Sequence, residues 1–230
     1  MIKLENVVTL SPEQWNAVIM GCRNPLNSWE RSDSKELLFP LNDCGDAYGN
    51  ARYDIGPNDH DLMMRLAKNG PVHAKYRRMI TVYLDITAPL YWWKEFDTYK
   101  VGTVANSCST MHKIAEKEFT IEDFSCEHLK DSWGVAHDCF SPLDILYDVI
   151  SMLNICREDY LKSKSKDDWW QIIQLLPSSY NQKRTVMLNY EVLANIYQSR
   201  KDHKLDCWHT FCHWIEELPY SELITGYEED

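Results

Sequence analysis

The chain of 230 residues has little of several things, and each shortage removes a class of protein. Its eight cysteines include no CxxC pair and are thinly spread, which speaks against a disulfide framework and leaves reduced thiols as the reading. No apolar run approaches the length that crosses a bilayer. Met1 is not followed by a charged, apolar leader, so the expectation is a soluble, unexported, cytoplasmic protein. Positive charge is also scarce: 24 Lys and Arg face 35 Asp and Glu, for a net charge of -11. Phosphate polymers are gripped by a surplus of cations, so a nucleic acid is excluded as the main partner. A small anion stays compatible if the few cations gather in one place.

What is present is enough apolar material, 44% of residues, to bury a full core. No polar low-complexity linker divides the chain, so a single domain over residues 1–230 is expected. Residues 24–58, rich in Asn, Asp, Ser, Gly and Pro, read as an irregular insertion within it. Helix starts are legible at Ser11-Pro12-Glu13-Gln14, at Asn58 or Asp59, at Thr120-Ile121 and at Ser141-Pro142. A long amphipathic helix follows Ser141 through Leu146, Ile150 and Leu153. Thr185 to Arg200 and Leu205 to Leu218 read as two more helices. Ile2 to Val8 and Met79 to Ile86 read as strands. Helices outnumber strands, which predicts an α+β fold, mostly helical around a modest sheet.

Four groups of residues carry candidate chemistry. Lys68, His73, Lys75, Arg77 and Arg78 form a local cationic excess beside a strand, either an anion site or a solvated edge. Tyr91, Trp92 and Trp93 open a helix that runs into a loop of small residues around Gly102. They either stack a ring or fill core. Cys108 stands four residues before His112, a spacing compatible with an activated thiol but commonly coincidental. His209 and His213, with Glu216 or Glu217, share one helical face as two metal ligands would. Thr210 occupies the position where a zinc protease needs Glu, and no metal site is expected.

The stretch Thr87 to His112, together with Leu176-Pro177 and the segment from Asn189 to Arg200, resembles the flavin-dependent thymidylate synthases. That family follows an apolar strand and an Ala-Pro turn with RQWxRHRxxSxNExSxRY. Ala88-Pro89 falls in register here, while Lys94, Glu95 and Phe96 stand for Arg, Gln and Trp. Thr98, Tyr99 and Lys100 stand for RHR, and Thr103 for the first Ser. Ala105 and Asn106 replace the Asn-Glu pair, Cys108 the later Ser, and Thr110 and Met111 the closing Arg-Tyr. The family's second segment, NxRSLxxFxxxR, keeps Asn189, Leu193 and Arg200, with Glu191 in place of its Arg.

The resemblance implies a fold that carries FAD and a deoxyuridine nucleotide at the interfaces of a homotetramer. It also implies a flavin, reduced by NADPH, that helps move a one-carbon unit from methylenetetrahydrofolate to the pyrimidine. Carried over by position, the family's cofactor contacts fall on His73, Lys75, Arg78, Tyr99, Lys100, Asn189 and Asn195. Its substrate contacts fall on Glu95, Asn106, Cys108, Ser109, Thr110 and Arg200, and no catalytic residue is assigned. Thr110 and Ile173 replace two phosphate-binding arginines, a loss of about 3–6 kcal/mol unless other cations compensate. Glu191 for Arg, alongside Arg78 for Glu, reads as an internal charge swap. The expected activity is one-carbon transfer to a pyrimidine nucleotide with altered recognition. The alternative is an inactive nucleotide-binding or interaction module on the same fold.

Overall fold

The computed structural model describes residues 2–37, 52–131 and 141–226. In chain order these form β1 (Lys3–Val8), α1 (Pro12–Arg23), β2 (Lys35–Leu37), β3 (Arg52–Asp54), α2 (Pro57–Lys68), β4 (Thr81–Pro89), α3 (Leu90–Phe96) and β5 (Val104–Ser107). There follow α4 (Thr110–Lys113), α5 (Pro142–Ser163), α6 (Lys166–Leu175), β6 (Asn181–Asn189), α7 (Tyr190–Arg200), α8 (Asp206–Glu216) and α9 (Glu222–Thr225). The larger sheet has the order β1-β4-β6-β5, and β2 pairs antiparallel with β3 with Glu36 opposite Tyr53. This is the expected α+β architecture, mostly helical around a modest sheet. Among the described residues no helix is long and apolar enough to cross a membrane.

Contacts divide the chain into two compact units. The first comprises residues 1–4, 85–98 and 106–185. Its apolar cluster joins Ile114, Phe119 and Phe124 to Leu146, Ile150 and Leu153 of α5 and Ile172 of α6, with Ile173 packed against it. Ser141 starts α5 as expected, its hydroxyl accepting from the Asp144 N–H while the Asp144 carboxylate accepts from the Ser141 N–H, a reciprocal cap. The second unit comprises residues 5–84, 99–105 and 186–230. Trp15 of α1 meets the edges of Tyr190 and Tyr220, and Trp208 and Phe211 of α8 are fully buried. Ser11 and Gln14 form the cap that the sequence announces for α1.

Several expectations are corrected. The helix read from Thr185 starts only at Tyr190, because residues 181–189 are strand β6. Thr185 is exposed while Val186 and Leu188 are buried, the period of a strand. α2 is not capped by Asn58 or Asp59. Its N-cap is Gly56, and the Asp33 carboxylate, from a distant part of the chain, accepts from the N–H groups of both Asn58 and Asp59. A Cβ on Gly56 would fall 2.3 Å from that carboxyl, so no other residue fits there unchanged. Thr120 starts a single 3-10 turn, Ile121–Asp123, and no α-helix. Within the 24–58 segment the described residues include two 3-10 turns and the β2-β3 pair. Its residues 38–51, and the acidic tail expected to fray at 227–230, lie outside the described residues.

Candidate functional site

Helix α7 lies between Asn189 and Arg200, two of the sequence-predicted residues in the second unit. Asn189 is its N-cap, 4% exposed, with Oδ1 accepting from the Val192 N–H at 2.9 Å. The other end of the same amide donates to the Gly102 carbonyl at 3.4 Å. Gly102 has φ +75, and a Cβ there would stand 2.2 Å from Asn189 Nδ2, so this position needs glycine twice over. Next to it, the buried hydroxyl of Thr103 has no hydrogen-bond partner.

At the far end of α7, Arg200 donates from Nε to the Tyr99 hydroxyl at 2.8 Å. Its guanidinium lies 4.8 Å from the Trp208 ring centre and 5.6 Å from that of Tyr99, within the range of cation–π attraction. Tyr99 and Trp208 themselves meet edge to face at 6.1 Å. The loop of residues 99–102 is therefore fastened to α7 near both ends of the helix. Arg200 is held by a hydrogen bond from Nε and by aromatic rings, an arrangement that orients a fork of donors.

The charge swap read from the sequence, Glu191 with Arg78, is not the pairing the structure makes. Glu191 faces Arg77, at 4.0 Å, and not Arg78. Arg77 is the half-buried member of the 3-10 turn Lys75–Arg78, whereas His73, Lys75 and Arg78 are exposed. Lys100 and Asn195 are exposed as well. Among the described residues, the side chains of His73, Lys75, Arg78 and Lys100 form no ion pair. Tyr76, in the same turn, is buried and donates to the Met63 carbonyl at 2.8 Å. Burial pushes its phenol well above the ordinary range.

The remaining sequence-predicted residues belong to the first unit. Glu95 is half-buried on α3, and Asn106 is exposed on β5. Cys108 is exposed, and its backbone N–H donates to the Lys183 carbonyl at 2.9 Å while its carbonyl accepts from Gln182 Nε2 at 3.0 Å. Ser109 caps α4, accepting from the His112 N–H, and Thr110 is the first residue of that helix. Among the described residues no hydrogen bond joins Cys108 to His112.

Sequence reasoning missed Arg184. It lies over Trp93 at 4.1 Å, with Nη1 2.7 Å from Asp97 and Nε 2.9 Å from Gln182. Its signal was hidden because the strand that aims Gln182 and Arg184 to one side, Asn181–Asn189, is cut at Thr185 by the helical reading and leaves too few residues to show an alternation. Trp92 and Trp93 are 0% and 1% exposed, so they fill core and leave no ring face open to solvent. Trp208 was missed for the reverse reason, since a tryptophan on an apolar helix face signals packing before it signals support for an arginine.

The histidine pair on α8 is exposed and engaged locally. His209 Nδ1 lies 3.8 Å from Asp206, and His213 lies 3.3 Å from Glu216 and 3.6 Å from Glu217. Burial pushes the neighbouring Cys212 thiol up to about 11, with the charges of Glu216 and Asp202 adding to it. Among the described residues no group of three or more His, Cys, Asp or Glu is placed to hold a metal ion.

No protein-family profile matches this sequence, and no curated protein matches it. Solved structures do. Thymidylate synthase X from Helicobacter pylori, crystallised with FAD and dUMP, superposes with a TM-score of 0.63 at 15% identity, covering 98% of each chain. A second structure of the flavin-dependent thymidylate synthase ThyX from the same organism, also with FAD and dUMP, gives 0.60 at 16% identity over 97% of each chain. The UMP/dUMP methylase PolB from Streptomyces cacaoi, bound with 5-Br dUMP, gives 0.58 at 12% identity over 99% of this chain and 96% of that one. The chain therefore has the fold of the flavin-dependent thymidylate synthases over nearly its whole length.

Proposed function

We propose that this protein is a flavin-dependent, thymidylate-synthase-like enzyme that acts on a pyrimidine nucleotide whose recognition has been rewired. The observation that carries the reading is Arg200, retained at the end of α7 and oriented by Tyr99 and Trp208, on a fold matched end to end by proteins crystallised with FAD and dUMP.

The residues of the second unit fit the chemistry of such ligands. FAD carries two phosphates, and Lys75, Arg78 and Lys100 are exposed cations with no ion pair among the described residues. The unpartnered Thr103 hydroxyl beside Gly102 supplies a further polar group, in a stretch whose glycine permits close backbone approach. When bound, the flavin supplies hydride chemistry. The chain's own part is placement and electrostatics. His73, Tyr99, Asn189 and Asn195 complete the proposed cofactor set. Glu95, Asn106, Cys108, Ser109 and Thr110 of the first unit, and separately Arg200 of the second, are the proposed substrate contacts. NADPH and methylenetetrahydrofolate are the proposed reductant and one-carbon donor, and a homotetramer is the proposed assembly.

The test is an absorbance spectrum of the purified protein before and after adding FAD, followed by dUMP titration. Flavin bands that persist through desalting are expected, as is a dUMP-dependent spectral change. Arg200→Ala should weaken dUMP binding by about 1.5–3 kcal/mol, roughly ten- to a hundred-fold. A colourless protein that takes up no flavin overturns the proposal.

A second reading, a binding module without turnover, has its own support. Ile173, standing for a phosphate-binding arginine, packs against the apolar cluster of the first unit, and Glu191 reverses another charge. Flavin and nucleotide binding without NADPH oxidation, for any nucleotide and folate supplied, decides for that reading.

A further inference from the structure

Arg184 is where three parts of the first unit meet. Its guanidinium lies 4.1 Å over the Trp93 ring of α3. Nη1 donates to Asp97, the residue that ends α3, at 2.7 Å, and Nε donates to Gln182 Oε1 at 2.9 Å. The Gln182 amide passes the link on, with Nε2 donating to the Cys108 carbonyl at 3.0 Å. The Cys108 N–H donates to the Lys183 carbonyl at 2.9 Å, so both backbone groups of Cys108 are committed to residues of β6. A second tie runs from Trp93 Nε1 to the Gln182 carbonyl at 3.0 Å.

An ion pair alone does not account for this arrangement. Asp97 is half-exposed, and a pair of that kind contributes little and needs no fixed geometry. Arg184 instead meets a carboxylate, a neutral amide and an aromatic face at once, which holds its planar fork in one orientation. Arginine has no acceptor, so the amide end that meets it must be the oxygen of Gln182. The other end, the NH2 group, is thereby aimed at the Cys108 carbonyl.

Glu95 sits on α3 two residues before Asp97, and Ser109 and Thr110 follow directly on the anchored Cys108. Resting on the reading of these residues as substrate contacts, we infer that Arg184 is a positioning residue for the nucleotide. Through Trp93 and Asp97 it holds α3, and through Gln182 it holds Cys108, so it sets the spacing between Glu95 and residues 108–110. Arg184 and Gln182 act in series on one carbonyl. A misplacement of about 1 Å in such contacts can cost about a hundred-fold.

Calorimetric titration of the full chain with FAD, and with dUMP after FAD, tests this on wild type, Arg184→Ala, Arg184→Lys, Gln182→Met and the Arg184→Ala/Gln182→Met double variant. Asp97 can hydrate when Arg184 is removed, and Gln182→Met keeps the side-chain length. Affinity for dUMP should fall about ten-fold or more in each single variant, and the double variant should fall no further, because groups in series do not add. FAD affinity should stay level, since the proposed cofactor contacts lie in the second unit. Arg184→Lys keeps the charge and loses the fork, and it carries the test should Arg184→Ala fail to fold by circular dichroism. Full dUMP affinity in Arg184→Lys reduces Arg184 to a plain charge and overturns the positioning role. So does a loss in Arg184→Ala that Gln182→Met does not share, which would mean that Arg184 meets the ligand itself. Level dUMP affinity in every variant overturns the role and leaves the nucleotide reading standing. A wild type that binds no dUMP overturns the nucleotide reading. Hydrogen exchange at the Cys108 amide then still reads the anchor without a ligand: it should quicken in Arg184→Ala and Gln182→Met, and unchanged exchange overturns the anchor too.

Discussion

Asp59 is 1% exposed and receives five hydrogen bonds, from Arg23 Nε, the Ser32 and Ser34 hydroxyls, and the Asp33 and Ser34 N–H groups. Burial alone would raise its carboxyl, but the bonds from Ser34, Ser32, Arg23 and the Asp33 backbone outweigh it and hold the group below the usual range. A carboxyl depressed on folding stabilises the native state above its unfolded value, near 4, and loses that contribution as the pH falls through the folded value. Asp59→Asn should cost about 3–5 kcal/mol at pH 7, because Arg23 is left buried without its counter-charge. Urea midpoints at pH 7 and near pH 3 check both points. The gap between wild type and variant should narrow at the lower pH, and a gap that stays constant refutes the assignment.

At the scale of elements, α7 and the 99–103 loop depend on each other through Asn189 and Gly102. Asn189→Ala removes an N-cap, worth about 1 kcal/mol, and the bond to the Gly102 carbonyl. Gly102→Ala forces a Cβ into a left-handed backbone and against the Asn189 amide, at a cost of about 1–2 kcal/mol for the backbone alone. The two changes share one contact, so they should not add. In the Asn189→Ala background the cost of Gly102→Ala should shrink by about 0.5 kcal/mol or more. Thermal unfolding of the four proteins of this cycle measures it, and strict additivity would remove the proposed clamp.

For the whole molecule, ligand linkage gives a test that needs no turnover. A ligand that binds only the folded chain, at a hundred times its dissociation constant, stabilises by about 2.7 kcal/mol. For a chain of this size that corresponds to a rise in melting temperature of roughly 5–10 °C. FAD should produce such a rise, with dUMP adding to it in wild type and adding less in Arg200→Ala. A melting temperature indifferent to FAD at every concentration counts against a flavoprotein.

Local chemistry was legible because it is local. The caps at Ser11 and Ser141 depend on side chains three residues from their partners, so spacing alone announces them. The same holds for the apolar face of α5 and for the helical bias of the fold. Motif spacing also marked Asn189 and Arg200. The tertiary structure decided everything that needed a distant partner. Asp33 reaches the first N–H groups of α2 from 25 and 26 positions away in the chain. Residues 181–189 become a strand because β4 and β5 are there to pair with them, overriding the helical reading of Thr185 onward. Glu191 is answered by Arg77 and not Arg78, because neighbouring residues on a tight turn point in different directions and only one of them faces α7. Arg200 was readable as an arginine at a motif position of the family the chain resembles. That it rests on Tyr99 and Trp208 was not, since cation–π and edge-to-face contacts join residues by surface and leave no periodic trace in the chain.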